Sequence, residues 1–466
     1  MTAPDRPRHR ITRRSLLAAS AAAAATVGAL SHRWARAAAD APRRIAANEK
    51  LNVAVVGAGG RGAEDLRGLD ATGACNIVAL CDCDARNAAA SFKKYPQAKQ
   101  YQDWRKMLDA EKGIDAVVVA TPDHHHAIVS IAAMKLGKHV YSEKPLAHSI
   151  WEVRRMAEVA RETGVATQMG TQGHAFEGSR RAVEMMRAGV VGEVRELHVW
   201  TDRPANWWSA GVTRPTDTPP VPEGLDWDLW LGPVAYRPYN PAYVPFKWRG
   251  FWDFGTGSIG DMGVHNLDTA FWGLELGLPT SVRIKDASPA VTDPAARETE
   301  PKWCILELDY PARGDKPPVK MTWYSGGKLP PRELLQGETL ITRDGGSLVI
   351  GSKGTLFTRT WHGGENKNNM FLLLPTKQFE GFEGPPKSIP RVKSHYHEWV
   401  DACRGQGKTL SNYPYAAVLT EGLLVGNLAL RTGQDITWDA ANMQATNCPA
   451  AAPFIHPEFR KGWELG

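Results

Sequence analysis

Residues 51–62 read Leu51-Asn-Val-Ala-Val-Val-Gly57-Ala-Gly59-Gly60-Arg61-Gly62, an apolar strand running into a glycine-rich turn. An unbroken apolar run from Val53 to Val56 has the pattern of a strand buried on both faces. The spacing of Gly57, Gly59 and Gly62 then opens a helical segment. Strand before and helix after raise this fingerprint above a chance glycine turn. In that setting Gly57 permits the tight turn, Gly59 lets the backbone approach a pyrophosphate, Gly62 lets helix and strand pack closely, and the helix amino terminus favours an anion. Gly60 and Arg61 complete the turn. Asp82 follows at the end of the next apolar run, where an acidic side chain meets adenosine ribose hydroxyls. Its charge repels a 2'-phosphate, so NAD is expected in preference to NADP, with Arg86 the nearby cation that would have to turn toward a phosphate.

Outward from the fingerprint, short apolar runs alternate with amphipathic stretches. Val53–Val56, Ile77–Leu80, Ala116–Ala120 and His139–Tyr141 read as strands, Ile128–Leu136 as a helix, and Val153, Met156, Ala157 and Ala160 as one face of another. Val165–Met169 adds a strand, so a Rossmann domain is expected over 51–170. From 171 to 466 the pattern changes. A helix (Arg180–Ala188), the alternating strand Val194–Trp200 and further alternating runs at Trp303–Tyr310, Val319–Trp323 and Gly346–Ile350 predict a C-terminal α+β domain with a large, mostly antiparallel open sheet. Turn-rich stretches near Pro289, Pro330 and Pro385 read as surface loops, and Ala416–Leu430 with Gly433 as a closing helix. The fold class is α/β.

The formal charge of +6 over 466 residues is misleading, because ten Lys/Arg and three Asp/Glu fall within Met1–Lys50. The rest of the chain is close to neutral and lacks the electrostatic footprint of a nucleic-acid binder. Residues 1–39 carry Arg13-Arg14-Ser15-Leu16-Leu17, a weakly apolar alanine-rich run and Ala37-Ala38-Ala39, the layout of a twin-arginine (Tat) signal peptide with a cleavage site, followed by a linker, 40–50. Export by the Tat machinery to a periplasmic or extracellular location is the expectation. Six cysteines show no Cys-x-x-Cys spacing and read as buried thiols.

Two further motifs carry chemistry. Thr121-Pro122-Asp-His-His-His126 follows the strand Ala116–Ala120, and Glu143-Lys144-Pro145 follows the next strand. With the fingerprint they resemble the Gfo/Idh/MocA oxidoreductases, whose Glu-Lys-Pro supplies an active-site lysine; the likeness runs through essentially everything after Lys50. Gly255 to Asp268 resembles the family's glycine-rich turn and Asp-x-x-x-His helix, with Asp261 and His265 on one helical face. The resemblance implies that His265 is the base, that Lys144 binds the reacting oxygen, and that Asp261 positions them. It also implies cofactor contacts from Thr121, Pro122, His126, Glu143 and Lys144, and a homo-oligomer. The histidine run is read as flanking the nicotinamide, and no metal is expected. Gln168, Gln172, His174, Arg249 and Trp252 are candidate substrate contacts, with Trp207, Trp208 and Trp248 as candidate aromatic faces for a sugar.

Together these residues predict an exported NAD-dependent oxidoreductase acting on a secondary hydroxyl of a sugar, glycoside or cyclic polyol. Free NAD is scarce outside the cytoplasm, so the cofactor is expected to leave tightly bound and to be recycled within each cycle. A redox-neutral NAD-dependent glycosidase or lyase, working through a transient keto-sugar, is the alternative. That group lacks the Lys-Pro pair kept here as Lys144-Pro145. A catalytically dead sugar-binding protein would be expected to lose Lys144, Asp261 or His265.

Overall fold

The computed structural model describes residues 42–46, 48–339, 345–359 and 371–465, and the expected leader lies outside the described residues. Its first sheet is formed by β1 (Leu51–Val56), β2 (Cys75–Cys81), β3 (Lys99–Tyr101), β4 (Ala116–Val119), β5 (His139–Ser142) and β6 (Thr167–Met169). They lie in the order β3-β2-β1-β4-β5-β6, and every neighbouring pair is parallel. The helices α1 (Gly60–Asp70), α2 (Ala85–Lys94), α3 (Trp104–Ala110), α4 (His126–Lys135) and α5 (Ile150–Thr163) make the crossovers. Apolar clusters lie on both sides of this sheet, which is why β1 and β4 are apolar at nearly every position rather than at alternate ones. Ser149 and Glu152 form a reciprocal capping box that starts α5.

After α6 (Glu177–Arg187), β7 (Val194–Thr201) enters a second, nine-stranded sheet. A long excursion follows, containing α7 (Trp227–Leu231), and the chain returns through α8 (Gly257–Asn266) and α9 (Asp268–Leu274). The remaining strands are β8 (Ser281–Ala287), β9 (Cys304–Tyr310), β10 (Val319–Tyr324), β11 (Gly345–Gly351), β12 (Gly354–Arg359), β13 (Phe371–Leu374), β14 (Ile436–Asp439) and β15 (Gln444–Ala445). The order is β13-β12-β11-β7-β10-β9-β8-β14-β15. All pairs are antiparallel except β7 with β10, which is the mostly antiparallel sheet expected. The stretch near Pro289, read as a surface loop, is instead tucked in, with Ala290 and Val291 buried.

Two late helices tie the sheets together. Trp399, Val400 and Cys403 of α10 (His395–Cys403) join the apolar cluster around β1 and β2. The closing helix, α11 (Tyr413–Thr432), is buried along most of its length and packs on α5 and α8. It starts at Asn412, whose side chain caps the Tyr415 amide, and stops at Gly433, whose φ of 68° suits the left-handed turn. The first sheet ends at Met169, yet its packing is completed by residues more than two hundred positions later. All six cysteines are free thiols, and among the described residues no helix is long and apolar enough to cross a membrane.

Candidate active site

The crossovers on either side of β1 and β4 run in opposite directions, so a crevice opens beyond the carboxyl ends of these strands. A cavity of about 560 Å³ fills it and continues to α8 of the second domain. Gly57 sits at φ 82°, and a Cβ there would lie 2.6 Å from the Ala120 carbonyl. A Cβ on Gly62 would lie 1.9 Å from the Gly57 carbonyl, so both glycines are demanded by the chain's own packing. The first turn of α1 has neither a side-chain cap nor an acidic residue, leaving its amides for an anion.

The residues around this turn fit a dinucleotide. Asp82 lines the cavity, its Oδ2 accepting from the Gly59 amide at 3.0 Å and its Oδ1 from the Asp84 amide at 2.9 Å. Burial pushes its carboxyl up to about 6, although both amides favour the charged form. Arg86 is held in a two-bond pair with Asp84, at 2.8 and 2.7 Å, and so is turned away from any 2'-phosphate. The buried Thr121 hydroxyl, beside Pro122 on the cavity wall, has no protein partner, as a group awaiting a ligand would not. Gly57, Gly59, Gly60, Arg61, Asp82 and Glu143 share that wall. Arg61 is committed, donating to Glu143 at 3.0 Å, to Glu64 at 2.6 Å and to Tyr396 of α10 at 3.1 Å.

At the other end the two domains meet through Lys144. Its ammonium donates to Asp261 Oδ1 at 2.6 Å and to the Asp261 carbonyl at 2.9 Å. Burial alone would raise the Asp261 carboxyl, but Lys144, Arg249 and His265 outweigh it and hold it at about 2. His265 stands one helical turn along α8 and lines the same cavity. Glu300, at the start of α8, accepts from the Ser258 amide at 2.8 Å and from its hydroxyl at 2.7 Å, which anchors the helix that carries the pair. Gln172 donates to Glu143 at 2.8 Å and faces the cavity. Arg249, Trp207, Trp208 and Trp248 also reach it.

Four expected contacts lie elsewhere. His126 is buried behind the wall, its ring nitrogens against the Pro145 and Thr121 carbonyls at 2.7 and 3.0 Å, and His125 takes the cavity-facing place. The reason is the short 3-10 turn at Asp123–His125, which rotates the run by one residue. Gln168 is buried and donates to the His395 carbonyl at 2.8 Å. His174 pairs with Asp268 at 2.8 Å and stacks on Trp272. Trp252 packs behind the site, where its carbonyl meets His148. Conversely, Arg203, Trp230, Phe246 and Trp463 line the cavity without any sequence signal that distinguished them.

Beside the end of β2, next to Asp82, lies a strap from the excursion. Gly224 accepts from the Ala85 amide at 2.9 Å, and the Asp226 amide donates to Cys83 at 2.8 Å, so 224–226 runs along the end of β2. Residues 460–463 close on it. The Arg460 amide donates to Pro233 and its Nε to Gly232, both at 2.9 Å, while the Trp463 ring packs under the Arg105 guanidinium at 4.2 Å.

Residues 51–171 match the profile of the Gfo/Idh/MocA oxidoreductase family, NAD-binding Rossmann fold, and 183–299 match that family's C-terminal alpha/beta domain. Inositol 2-dehydrogenase of Salmonella typhimurium is 30% identical over 151 residues, 32% of this chain and 45% of that protein. A glycosyl hydrolase family 109 protein of Stenotrophomonas maltophilia is 29% identical over 197 residues, 40% of this chain and 41% of that protein. The chain thus spans under half the length of these curated relatives. Among solved structures, the WlbA dehydrogenase from Bordetella pertussis, in complex with NADH and UDP-GlcNAcA, superposes with a TM-score of 0.56 at 19% identity, over 84% of this chain and 99% of that one. At such identity the likeness is one of fold. The two profile matches fall on the two sheets that frame the cavity and together span just over half of the residues. The chain belongs to the Gfo/Idh/MocA family of oxidoreductases.

Proposed function

We propose that this protein oxidises a secondary hydroxyl of a sugar, glycoside or cyclic polyol, using NAD that it retains between turnovers. The observation that carries the reading is the convergence of Lys144, Asp261 and His265 at the far end of a dinucleotide-shaped cavity. A carboxyl held at about 2 is a poor proton acceptor near neutrality, so Asp261 stays charged and positions the Lys144 ammonium. Lys144 donates to the reacting oxygen and stabilises it as its proton leaves. The proton acceptor is then His265, on the same face of α8. NAD, held by the glycine turn and Asp82, would supply the hydride acceptor for this oxidation. The pairing of Arg86 with Asp84 supports NAD over NADP, because it leaves the 2' position facing acidic groups.

Retention is supported by Trp463, a late residue that lines the cavity and is held there against Arg105 and His125. Retention suits a protein exported by the Tat pathway, which carries folded cargo to a compartment with little free NAD. Recycling then falls to a second substrate or to return of hydride to the same sugar. In this reading the open face of the nine-stranded sheet serves a homo-oligomer.

The deciding experiment purifies the full chain, measures bound nucleotide by absorbance and mass spectrometry, and follows reduction of that nucleotide on adding sugars and glycosides, with chromatography of the products. A keto-sugar product is expected. Protein free of nucleotide would refute the retained cofactor. Cleavage without net oxidation would instead establish the redox-neutral glycosidase reading, which the family 109 relative favours over the stretch it matches.

A further inference from the structure

The excursion between β7 and α8 lays two guanidinium groups on aromatic faces along the substrate wall. Arg249 Cζ lies 4.1 Å from the centre of the Phe246 ring and 4.3 Å from that of Trp248. With its flat faces covered, the group offers only its edges. Nε approaches Asp261 Oδ1 at 3.5 Å and Nη1 donates to the Phe246 carbonyl at 3.1 Å. No described residue accepts from Nη2, and Arg249 lines the cavity. Further along, Arg203 lies 3.7 Å from the Trp207 ring, whose centre is 6.5 Å from that of Phe246. The wall therefore alternates cation, ring, ring and cation.

Charge does not balance at this end. Asp202 offsets Arg203, and Asp261 is already engaged by Lys144, so the Arg249 charge is met only by a carboxylate that another cation holds more closely. Of the other acids on this side, Glu143 is held by Arg61, Asp123 turns Oδ2 to the Thr256 amide and hydroxyl at 3.0 and 2.8 Å, Glu300 faces Ser258 and Trp208, and burial pushes the Asp123 and Glu300 carboxyls up toward the neutral form. A pre-oriented guanidinium edge beside surplus positive charge is suited to a planar or tetrahedral anion.

We propose that the carbohydrate taken by this site is anionic, bearing a carboxylate or a phosphate, and that the Nη2 edge of Arg249 reads that group while Phe246 and Trp207 face the apolar side of the ring. This rests on the carbohydrate reading above. The test uses the full, nucleotide-loaded chain with glucose, myo-inositol, glucuronate and glucose 6-phosphate, measuring affinity by calorimetry and reduction of the bound nicotinamide by absorbance. At least one anionic sugar is expected to bind about tenfold or more tightly than glucose, the uronate and phosphate arms telling which anion is read. The gap is expected to narrow as salt rises from about 50 to 500 mM. Arg249→Gln is expected to lower the anionic-to-neutral preference by about tenfold or more, and Arg249→Lys to restore part of it. Any general loss from disturbing Asp261 cancels in that ratio. Equal affinity for glucose and both anions, or an unchanged preference in Arg249→Gln, overturns the proposal. Should the variants not fold, the wild-type panel and salt series decide. Preferential anion binding without nicotinamide reduction would defeat the oxidoreductase reading and leave this inference standing, whereas reduction by neutral sugars alone would do the reverse.

Discussion

Lys144 and Asp82 mark the two ends of the cavity, and each makes a prediction at the scale of a single side chain. Lys144→Ala removes the donor proposed to bind the reacting oxygen, and turnover is expected to fall about 100- to 1000-fold while nucleotide content per chain stays the same. Arg249 remains to offset Asp261, so the variant is expected to fold, which its melting curve checks. Retained turnover would remove Lys144 from the chemistry. Asp82 gives a pH dependence. In the proposed NAD complex a ribose hydroxyl would donate to the carboxylate, so binding would favour the ionised form of a group that burial has pushed up to about 6. Nucleotide affinity is then full above that value and declines as pH falls toward about 5. Dialysis at a series of pH values followed by nucleotide assay should show this loss in wild type and a flat profile in Asp82→Asn. Both residues stood out in the sequence because a motif or a strand end located them. Gln168, His174 and Trp252 carried no such marker, only polarity or aromaticity near the right place, and the structure assigns them to packing and internal hydrogen bonds.

Among elements, α1 and α8 each present a terminus or a face to the cavity, and both were legible because glycine spacing and an i,i+4 pair are local properties. The strap was not. Residues 214–222 announce only proline-rich chain, and nothing in them says that 224–226 pairs along the end of β2 or that 460–463 returns to cover it. Trp463 is the contact that joins this cover to the Rossmann domain, lying under Arg105 and edge-on to His125 at 5.9 Å. In Trp463→Ala the main-chain clasp at Arg460 persists but the ring is lost from the cavity wall. The dissociation rate of bound nucleotide, followed by trapping the released NAD, is expected to rise about tenfold. An unchanged rate would deny the strap a part in retention.

For the whole molecule, the proposed export route sets an order: folding first, then transport. The packing of the first sheet is finished by α10 and α11 from the far end of the chain, so the Rossmann domain is fully packed only when those late helices are in place. A pathway that carries folded cargo is the one compatible with a cofactor acquired beforehand. Replacing Arg13 and Arg14 by lysine keeps the charge and removes the paired guanidiniums. Cell fractionation should then find the protein in the cytoplasm, folded and with nucleotide bound; undiminished export would rule out the twin-arginine route. Period, spacing and punctuation by themselves pointed to β1, β2, β4, β5 and β6 of the first sheet and to a mostly antiparallel second domain, while the three-residue β3 was too short to show a period, because backbone hydrogen bonding and burial write such features into neighbouring positions. Tertiary structure alone decided which of three consecutive histidines faces the cavity, which aromatic rings carry a guanidinium, and which late residue returns to the cavity wall. Those contacts join residues tens to hundreds of positions apart, and their energy depends on distance and orientation in space rather than on separation along the chain.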